Sequence, residues 1–196
     1  MPVSYGKRAI VPRLAELVRR HPRLRLELSF SDRQVDLIRE GLDAVVRIGT
    51  LADSRLVGRR IGEQAIVTCA SPDYLRRQGI PHNPGELAGH DCMIFRMPST
   101  GRVRPLQFRD GRRRIELAPP ARLVLDDGEA LVSAAIAGLG VAQVPDYMAE
   151  DALAAGRLTE VLARCRMPPT PISLVYASAR RPTPRLRALI GLLASA

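Results

Sequence analysis

Ser4, Ser31 and Asp127 each stand at the start of a predicted helix, and Arg47 lies near the end of a short apolar strand. Side-chain oxygens at helix starts sit beside backbone N–H groups that lack an intrahelical partner, and the helix dipole adds positive potential there. Such positions bind carboxylates and other anions. Arg47 could pair with the same anion, or equally with Asp127. Taken singly, each serine has a plainer role as an ordinary cap, and capping does not exclude ligand contact.

Other combinations of reactive residue types fail on spacing. His90-Asp91-Cys92 holds the residue types of a nucleophilic triad, but neighbours on one chain cannot easily converge their side chains, and triads are defined by arrangement. A turn entering a strand accounts for them. Gly138-Leu139-Gly140 opens like a dinucleotide fingerprint, yet it follows a helix and precedes a strand, the reverse of the phosphate-binding order. Its glycines fit a helix stop and a tight entry into the strand. Asp126-Asp127-Gly128-Glu129 lacks the remaining spacing of a calcium loop. Asp127 as an N-cap, with Glu129 in the first turn, satisfies the dipole instead. His21 reads as a solvated helix-end residue rather than a metal ligand. Cys69, Cys92 and Cys165 are odd in number and share no metal-type spacing, which fits a reducing compartment and buried structural thiols. There is no G-x-S-x-G elbow of a hydrolase. Neither a cofactor nor a metal is expected.

The net charge of +10 invites a nucleic-acid reading. Lys7 is the only lysine, so nearly all the positive charge is arginine, scattered from Arg8 to Arg187 among acidic residues. The dense cluster Arg112-Arg113-Arg114 follows a hairpin turn and reads as a solvated edge that discourages sheet pairing. Aromatic residues are 4% with no tryptophan, so a stacking surface for single strands is not expected. No apolar run approaches the length of a membrane span, and the N-terminus lacks the apolar core of a signal peptide. With 46% hydrophobic residues, 196 residues suffice for one domain or two small ones.

Periodicity supplies the elements that must position these groups. Residues 5–20 predict a helix with Ile10, Leu14, Leu17 and Val18 on one face, Ser4 as N-cap and His21-Pro22 as its end. Pro22 to Gly49 reads as strand, capped helix, glycine stop and strand. Leu24, Leu26, Leu28 and Phe30 alternate with polar residues; Ser31 and Asp32 offer caps to a helix with Val35, Leu37 and Ile38 inside; Gly41 stops it; Ala44–Ile48 is a buried strand. Two such strands joined by a helix make a right-handed βαβ unit, whose ligand side is the carboxyl ends of the strands. Leu56 to Ser71 gives two strand pieces broken at Gly62, with Ala65–Ala70 as a crossover. Ser71 caps a short helix that begins at Pro72. Cys92–Arg96 is a strand, Asp110-Gly111 signals a hairpin between Leu106/Phe108 and Ile115/Leu117, and Leu123–Leu125 is a strand. Glu129–Ala137 is a helix stopped by Gly138, Val141–Val144 a strand, and Asp146–Ala154 a helix ended by Gly156. Met167–Pro171 is a stiff linker, Ile172–Ala177 a second crossover, and Pro184–Ala194 a last helix with Leu186, Leu189, Ile190 and Leu193 inward.

The runs EGLDAVVRIG, CASPDYL, HDCMIF and EALVSAAIAGLGVAQVP resemble, in order and across the whole chain, the effector-binding domain of LysR-type transcriptional regulators. The resemblance implies an α/β fold like that of type 2 periplasmic binding proteins: two subdomains, two crossover strands and a small-molecule cleft. Subdomain I would be residues 1–65 with 172–196, and subdomain II residues 66–171. Members of the family place a winged helix-turn-helix, a linker helix and a first core strand ahead of the position held here by Pro2-Val3-Ser4. This chain starts at Met1, so DNA is expected as a partner only through an N-terminal domain missing from it.

The expected function is a cytoplasmic, non-enzymatic effector-sensing domain of a transcriptional regulator; a free-standing solute-binding protein is the alternative. The resemblance matches Ser4 and Ser31 to positions lining the family's cleft. With Arg47, Asp126, Asp127 and Pro145 they make the expected ligand site, whose hydroxyl-bearing helix starts and arginine suit an organic or aromatic carboxylate. Asp126 and Asp127 favour an amine-bearing or neutral ligand instead. It also implies a homodimer or higher homo-oligomer, using Ile10, Leu14 and Leu17 near one edge unless these face their own core. No membrane partner is expected.

Overall fold

The computed structural model describes residues 1–33, 35–50, 55–177 and 182–194. They fall into two compact units, Met1–Gln64 with Thr170–Ala196 and Ala65–Pro169. In the first unit a helical run begins with α1 (Val3–Tyr5), passes through a π-helical stretch, Gly6–Ile10, and continues as α2 (Val11–Arg20). The π stretch ends two residues before Pro12, which has no N–H for the i→i−4 ladder and whose ring clashes with the preceding turn; widening the coil there accommodates both. Ile10, Leu14 and Leu17 are buried as expected, whereas Val18 turns to solvent at 47% exposure.

Three strands form the sheet of this unit: β1 (Val45–Ile48), β2 (Leu56–Gln64) and, from the other end of the sequence, β10 (Thr170–Ala177). Their order is β1-β10-β2, with β10 antiparallel to both neighbours. Ile172 to Tyr176 are buried without alternation, which a central strand covered on both faces requires. The register of β10 against β2 slips between Ile172 and Ser173, opposite Gly62 and Arg60. The break expected at Gly62 is therefore a bulge; the strand itself runs to Gln64. The last helix, α6 (Pro184–Ala194), packs on α2 and β2 and buries Leu193. Arg13 donates to the carbonyls of Leu192 and Leu193, capping its C-terminal end.

Two sequence expectations in this unit are corrected. Leu24 to Phe30 belong to no strand, and Leu26, Leu28 and Phe30 are 36–37% exposed. The helix expected after Ser31 is a single turn over Asp36–Gly41, with Gln34 outside the described residues. Asp36 accepts the amides of Ile38 and Arg39, so the cap lies five residues later than Ser31, and Gly41 at φ 65° ends the turn at once. Only Leu37 is buried there; Ile38 is 51% exposed. A turn capped and stopped within six residues cannot propagate.

The second unit is a five-stranded sheet of order β7-β4-β8-β3-β9, from β3 (Ile66–Ala70), β4 (Cys92–Phe95), β7 (Ala121–Leu125), β8 (Val141–Pro145) and β9 (Thr159–Val161). β4 runs parallel to β7 and β8, while β3 is antiparallel to β8 and β9. Alternate residues feed two cores. Val67, Cys69, Met93, Ala142 and Val144 pack with helices α4 (Gly128–Ile136) and α5 (Asp146–Ala154). Ala70, Cys92, Ile94 and Val141 pack with helix α3 (Pro72–Gln78) and the hairpin β5 (Leu106–Asp110)/β6 (Arg113–Leu117). Strands covered on both faces read as near-continuous apolar runs.

The hairpin register pairs Leu106 with Leu117 and Phe108 with Ile115; the two turn residues are Gly111 and Arg112, one position later than expected. Ser71 caps α3 through the Tyr74 amide at 3.2 Å. Gly138 and Gly140 perform the two structural tasks expected of them, at φ 75° and 156°. Any Cβ on Gly140 would meet the Asp91 carbonyl oxygen at 2.2 Å.

Candidate functional site

In the first unit the structure gathers Ser4 and Ser31 around one backbone crossing. Ser4 is not the N-cap. Pro2 holds that position without a capping side chain, and Ser4 lies inside the first helical turn at 6% exposure. The cap comes from elsewhere in sequence: Asp32 Oδ1 accepts the Val3 amide at 3.0 Å. The Ser31 amide donates to the Met1 carbonyl, while Ser31 Oγ accepts the Arg33 amide at 3.1 Å. The two serines thus follow two backbone segments that meet at Met1. Sequence reasoning assigned Asp32 as a cap to the helix after it, whereas it caps the helix that begins at Val3. No local pattern marks a cap that reaches 29 residues back.

Arg47, half-buried on β1, donates from a guanidinium nitrogen to the Val35 carbonyl at 3.1 Å. That contact ties the strand to the loop after Ser31.

The second unit brings Asp126, Asp127 and Pro145 to one edge of its sheet. β7 and β8 both run parallel to β4, so their carboxyl ends, Leu125 and Pro145, point the same way. Asp127 caps α4 through the Ala130 amide at 2.7 Å, as expected. Asp126 beside it is exposed. Pro145 is the N-cap residue of α5 and pairs with Ile66. The two helix starts are close neighbours: a Cβ on Gly128 would lie 2.6 Å from Met148 Sδ. In an open α/β sheet this edge is where ligands settle.

Three positioning contacts escaped the sequence reading. Ala65 and Asp146 exchange hydrogen bonds, Ala65 N to Asp146 Oδ2 at 3.1 Å and Asp146 N to Ala65 O at 2.9 Å, which locks the entry of β3 to the start of α5. Gln143 clamps the hairpin. Its side chain accepts the Gln107 amide at 2.9 Å and donates to the Gln107 carbonyl at 3.0 Å and to Thr68 Oγ1 at 3.1 Å. Tyr74 Oη accepts the Asp91 amide at 2.8 Å and shares a hydrogen bond with His90 Nδ1, 3.2 Å away. Burial chiefly raises the Tyr74 phenol pKa, keeping the hydroxyl protonated. His90-Asp91 is thus a structural corner, with Asp91 also paired to Arg122 at 2.8 Å.

Cys69 and Cys92 are fully buried and Cys165 is half-buried; all three are free thiols. Among the described residues no group of three His, Cys, Asp or Glu side chains could hold a metal ion, and no helix is long and apolar enough to cross a membrane.

A profile described as LysR substrate binding domain matches residues 1–196. An uncharacterized HTH-type transcriptional regulator, YhjC of Escherichia coli (strain K12), is 36% identical over 198 residues, covering 99% of this chain and 65% of that protein. The chain therefore spans slightly under two thirds of the length of that curated relative. Among solved structures, the regulatory domain of CrgA, a LysR-type transcriptional regulator from Neisseria meningitidis, superposes with TM-score 0.84 at 27% identity, covering 98% of this chain and 94% of that one. The effector domain of the transcriptional regulator AmpR of Pseudomonas aeruginosa gives 0.77 at 25% identity, covering 98% and 90%. The fold is that of LysR regulatory domains, the type 2 periplasmic-binding-protein-like α/β architecture. The family is one of transcriptional regulators, and this chain, matched by it from the first residue to the last, belongs to it as a LysR substrate-binding domain.

Proposed function

We propose that the chain recognises a small organic or aromatic carboxylate as the effector of a cytoplasmic LysR-type regulator. Its ligand residues would be Ser4, Ser31 and Arg47 from subdomain I (residues 1–65 and 172–196) with Asp126, Asp127 and Pro145 from subdomain II (66–171). The observation that carries this reading is the crossing at Met1. Val3 and Ser4 begin a helix just past Met1, and Ser31 and Asp32 follow Phe30 beside it. Hydroxyls at that position, with the donors of Arg47, suit a carboxylate. Asp126 and Asp127 pull the other way and favour an amine-bearing or neutral ligand.

Effector binding in a regulator must favour one conformation of the protein over another, and DNA contact would come from a helix-turn-helix domain outside this chain. A homodimer is the proposed assembly. Its surface on α2 is not Ile10, Leu14 and Leu17, which face their own core at 2–7% exposure, but Val11 and Val18 at 41% and 47%.

A thermal-shift screen of carboxylates tests the reading, since ligand at a hundred times its dissociation constant adds roughly 2.7 kcal/mol. A hit should bind Ser31→Ala and Arg47→Ala about ten- to a hundredfold more weakly. Unchanged affinity in both folded variants would overturn the site.

A further inference from the structure

Arg104 is anchored at the carboxyl edge of the second unit's sheet. Its amide donates to the carbonyl of Phe95, the last residue of β4, at 2.8 Å. The Arg96 amide donates to the carbonyl of Leu125, the last residue of β7, at 2.7 Å. Successive residues of a strand send their backbone groups to opposite sides. Arg104 therefore lies on the side of β4 away from β7, and the strand order puts β8 on that side. The carboxyl ends of β4 and β8, which run parallel, flank it at the edge where open α/β sheets hold ligands. Its backbone is held firmly. Pro105 restricts Arg104 to extended conformations, and Gln143 clamps Gln107 three residues further on.

The side chain breaks a rule that the rest of the unit keeps. Arg104 is half-buried, yet among the described residues no hydrogen bond, ion pair or facing carboxylate engages its guanidinium. Burial chiefly lowers its pKa, and the charge that bears on it is a like one, Arg114. Arg114 has an acid of its own, Glu116 at 2.7 Å. Arg166 is the other half-buried arginine of this unit, and its Nε and Nη2 reach Glu160 at 3.1 and 2.6 Å. A guanidinium does not shed its proton in a protein. The folded chain therefore carries the desolvation of Arg104 as lost stability, which an opposite charge would offset.

We propose that Arg104 is the anion-binding residue of the second unit, and that its ligand is a carboxylate. The planar fork of a guanidinium matches a carboxylate with two parallel hydrogen bonds. Arg114 opposes the charge of Arg104 and so adds to the attraction for an anion. A fixed backbone lowers the ordering cost of binding. The subsite belongs to the second unit by itself. It rests on the carboxylate effector proposed above only for the ligand's role as effector; Ser4, Ser31 and Arg47 take no part in it.

Benzoate is the probe, with benzamide as its uncharged match in shape. In the full chain benzoate should raise the thermal midpoint and shift the Arg104 Nε–H resonance saturably, and benzamide should do neither. Arg104→Met keeps an unbranched side chain and removes the charge. It should raise the midpoint of the ligand-free protein by about 2–4 °C and weaken benzoate binding about tenfold or more. Arg109→Met, the same change at an exposed site on the hairpin, should alter neither. Arg47→Ala separates this subsite from the residues of the first unit, because the Arg104 resonance should still respond to benzoate in that variant. Three results would overturn the proposal: benzamide acting as benzoate does; Arg104→Met binding benzoate as tightly as the parent; or loss of the Arg104 response in folded Arg47→Ala.

Discussion

Asp32 caps the helix that begins at Val3, its Oδ1 accepting the Val3 amide at 3.0 Å from 29 residues further along the chain. Helix start and loop are therefore one structural object. Ser4 and Ser31 cannot move independently while this bond holds.

Replacing Asp32 with Ala should cost about 0.5–2 kcal/mol of stability, the usual loss on removing an N-cap, and Asp32→Asn should recover most of it. Urea denaturation of the three proteins measures this directly. A midpoint for Asp32→Ala equal to that of the parent would show that the bond contributes nothing.

Elements whose signals are local were legible in the sequence: Gly138 and Gly156 as helix stops, Ser71 and Asp127 as caps, the Leu106–Leu117 hairpin. What failed depended on distant partners. The alternation from Leu24 to Phe30 predicts a strand, but pairing needs a neighbour, and among the described residues the hydrogen-bond partners beside this segment's end come only from Met1. The helix after Ser31 failed differently, because Asp36 outcompeted Ser31 for the cap and Gly41 left it no length. Of the candidate site residues, Asp127 performs the local role that its sequence context indicates. Ser4 was misplaced by two positions because proline at the true N-cap offers no side-chain signal.

Gly140→Ala should be among the most damaging single substitutions in the second unit. The new methyl would stand 2.2 Å from the Asp91 carbonyl oxygen, which also accepts the Val141 amide at 2.8 Å, and φ is 156°. Relief requires parting β8 from the corner at Asp91, at a cost of roughly 3–5 kcal/mol. Gly111→Ala, where the surroundings are open and only φ at 56° resists, should cost about 1–2 kcal/mol. If thermal unfolding ranks the two the other way, the close approach at Asp91 is not what Gly140 is for.

Thiol chemistry should separate the three cysteines. Burial pushes the Cys69 thiol up to about 12, with Glu160 adding to it, and the Cys92 thiol up to about 11, with Asp91 adding to it. The thiolate is the nucleophile, so both should be inert to disulfide reagents at pH 8 in the folded protein. Half-buried Cys165 should react first and alone. Reagent counting should give one thiol in buffer and three in denaturant, and Cys165→Ser should leave none in buffer. Rapid reaction of all three in a folded sample would contradict the burial.

The Met1 ammonium links the N-terminus to pH. Its pKa in the folded chain lies below the ordinary value of 8.0, chiefly through desolvation and partly offset by the Asp32 carboxylate. A base whose folded pKa is lowered binds more protons when unfolded, so this group destabilises the folded chain at low pH. Its penalty disappears as pH rises from the folded pKa to about 8. Stability should therefore increase across the window just below pH 8. An N-terminally acetylated chain should lose that increase and match the parent at higher pH, since its amide still donates to Ser29. Urea midpoints of both chains from pH 6 to 9 decide the matter: parallel curves would show that the amino group at Met1 is as well solvated folded as unfolded.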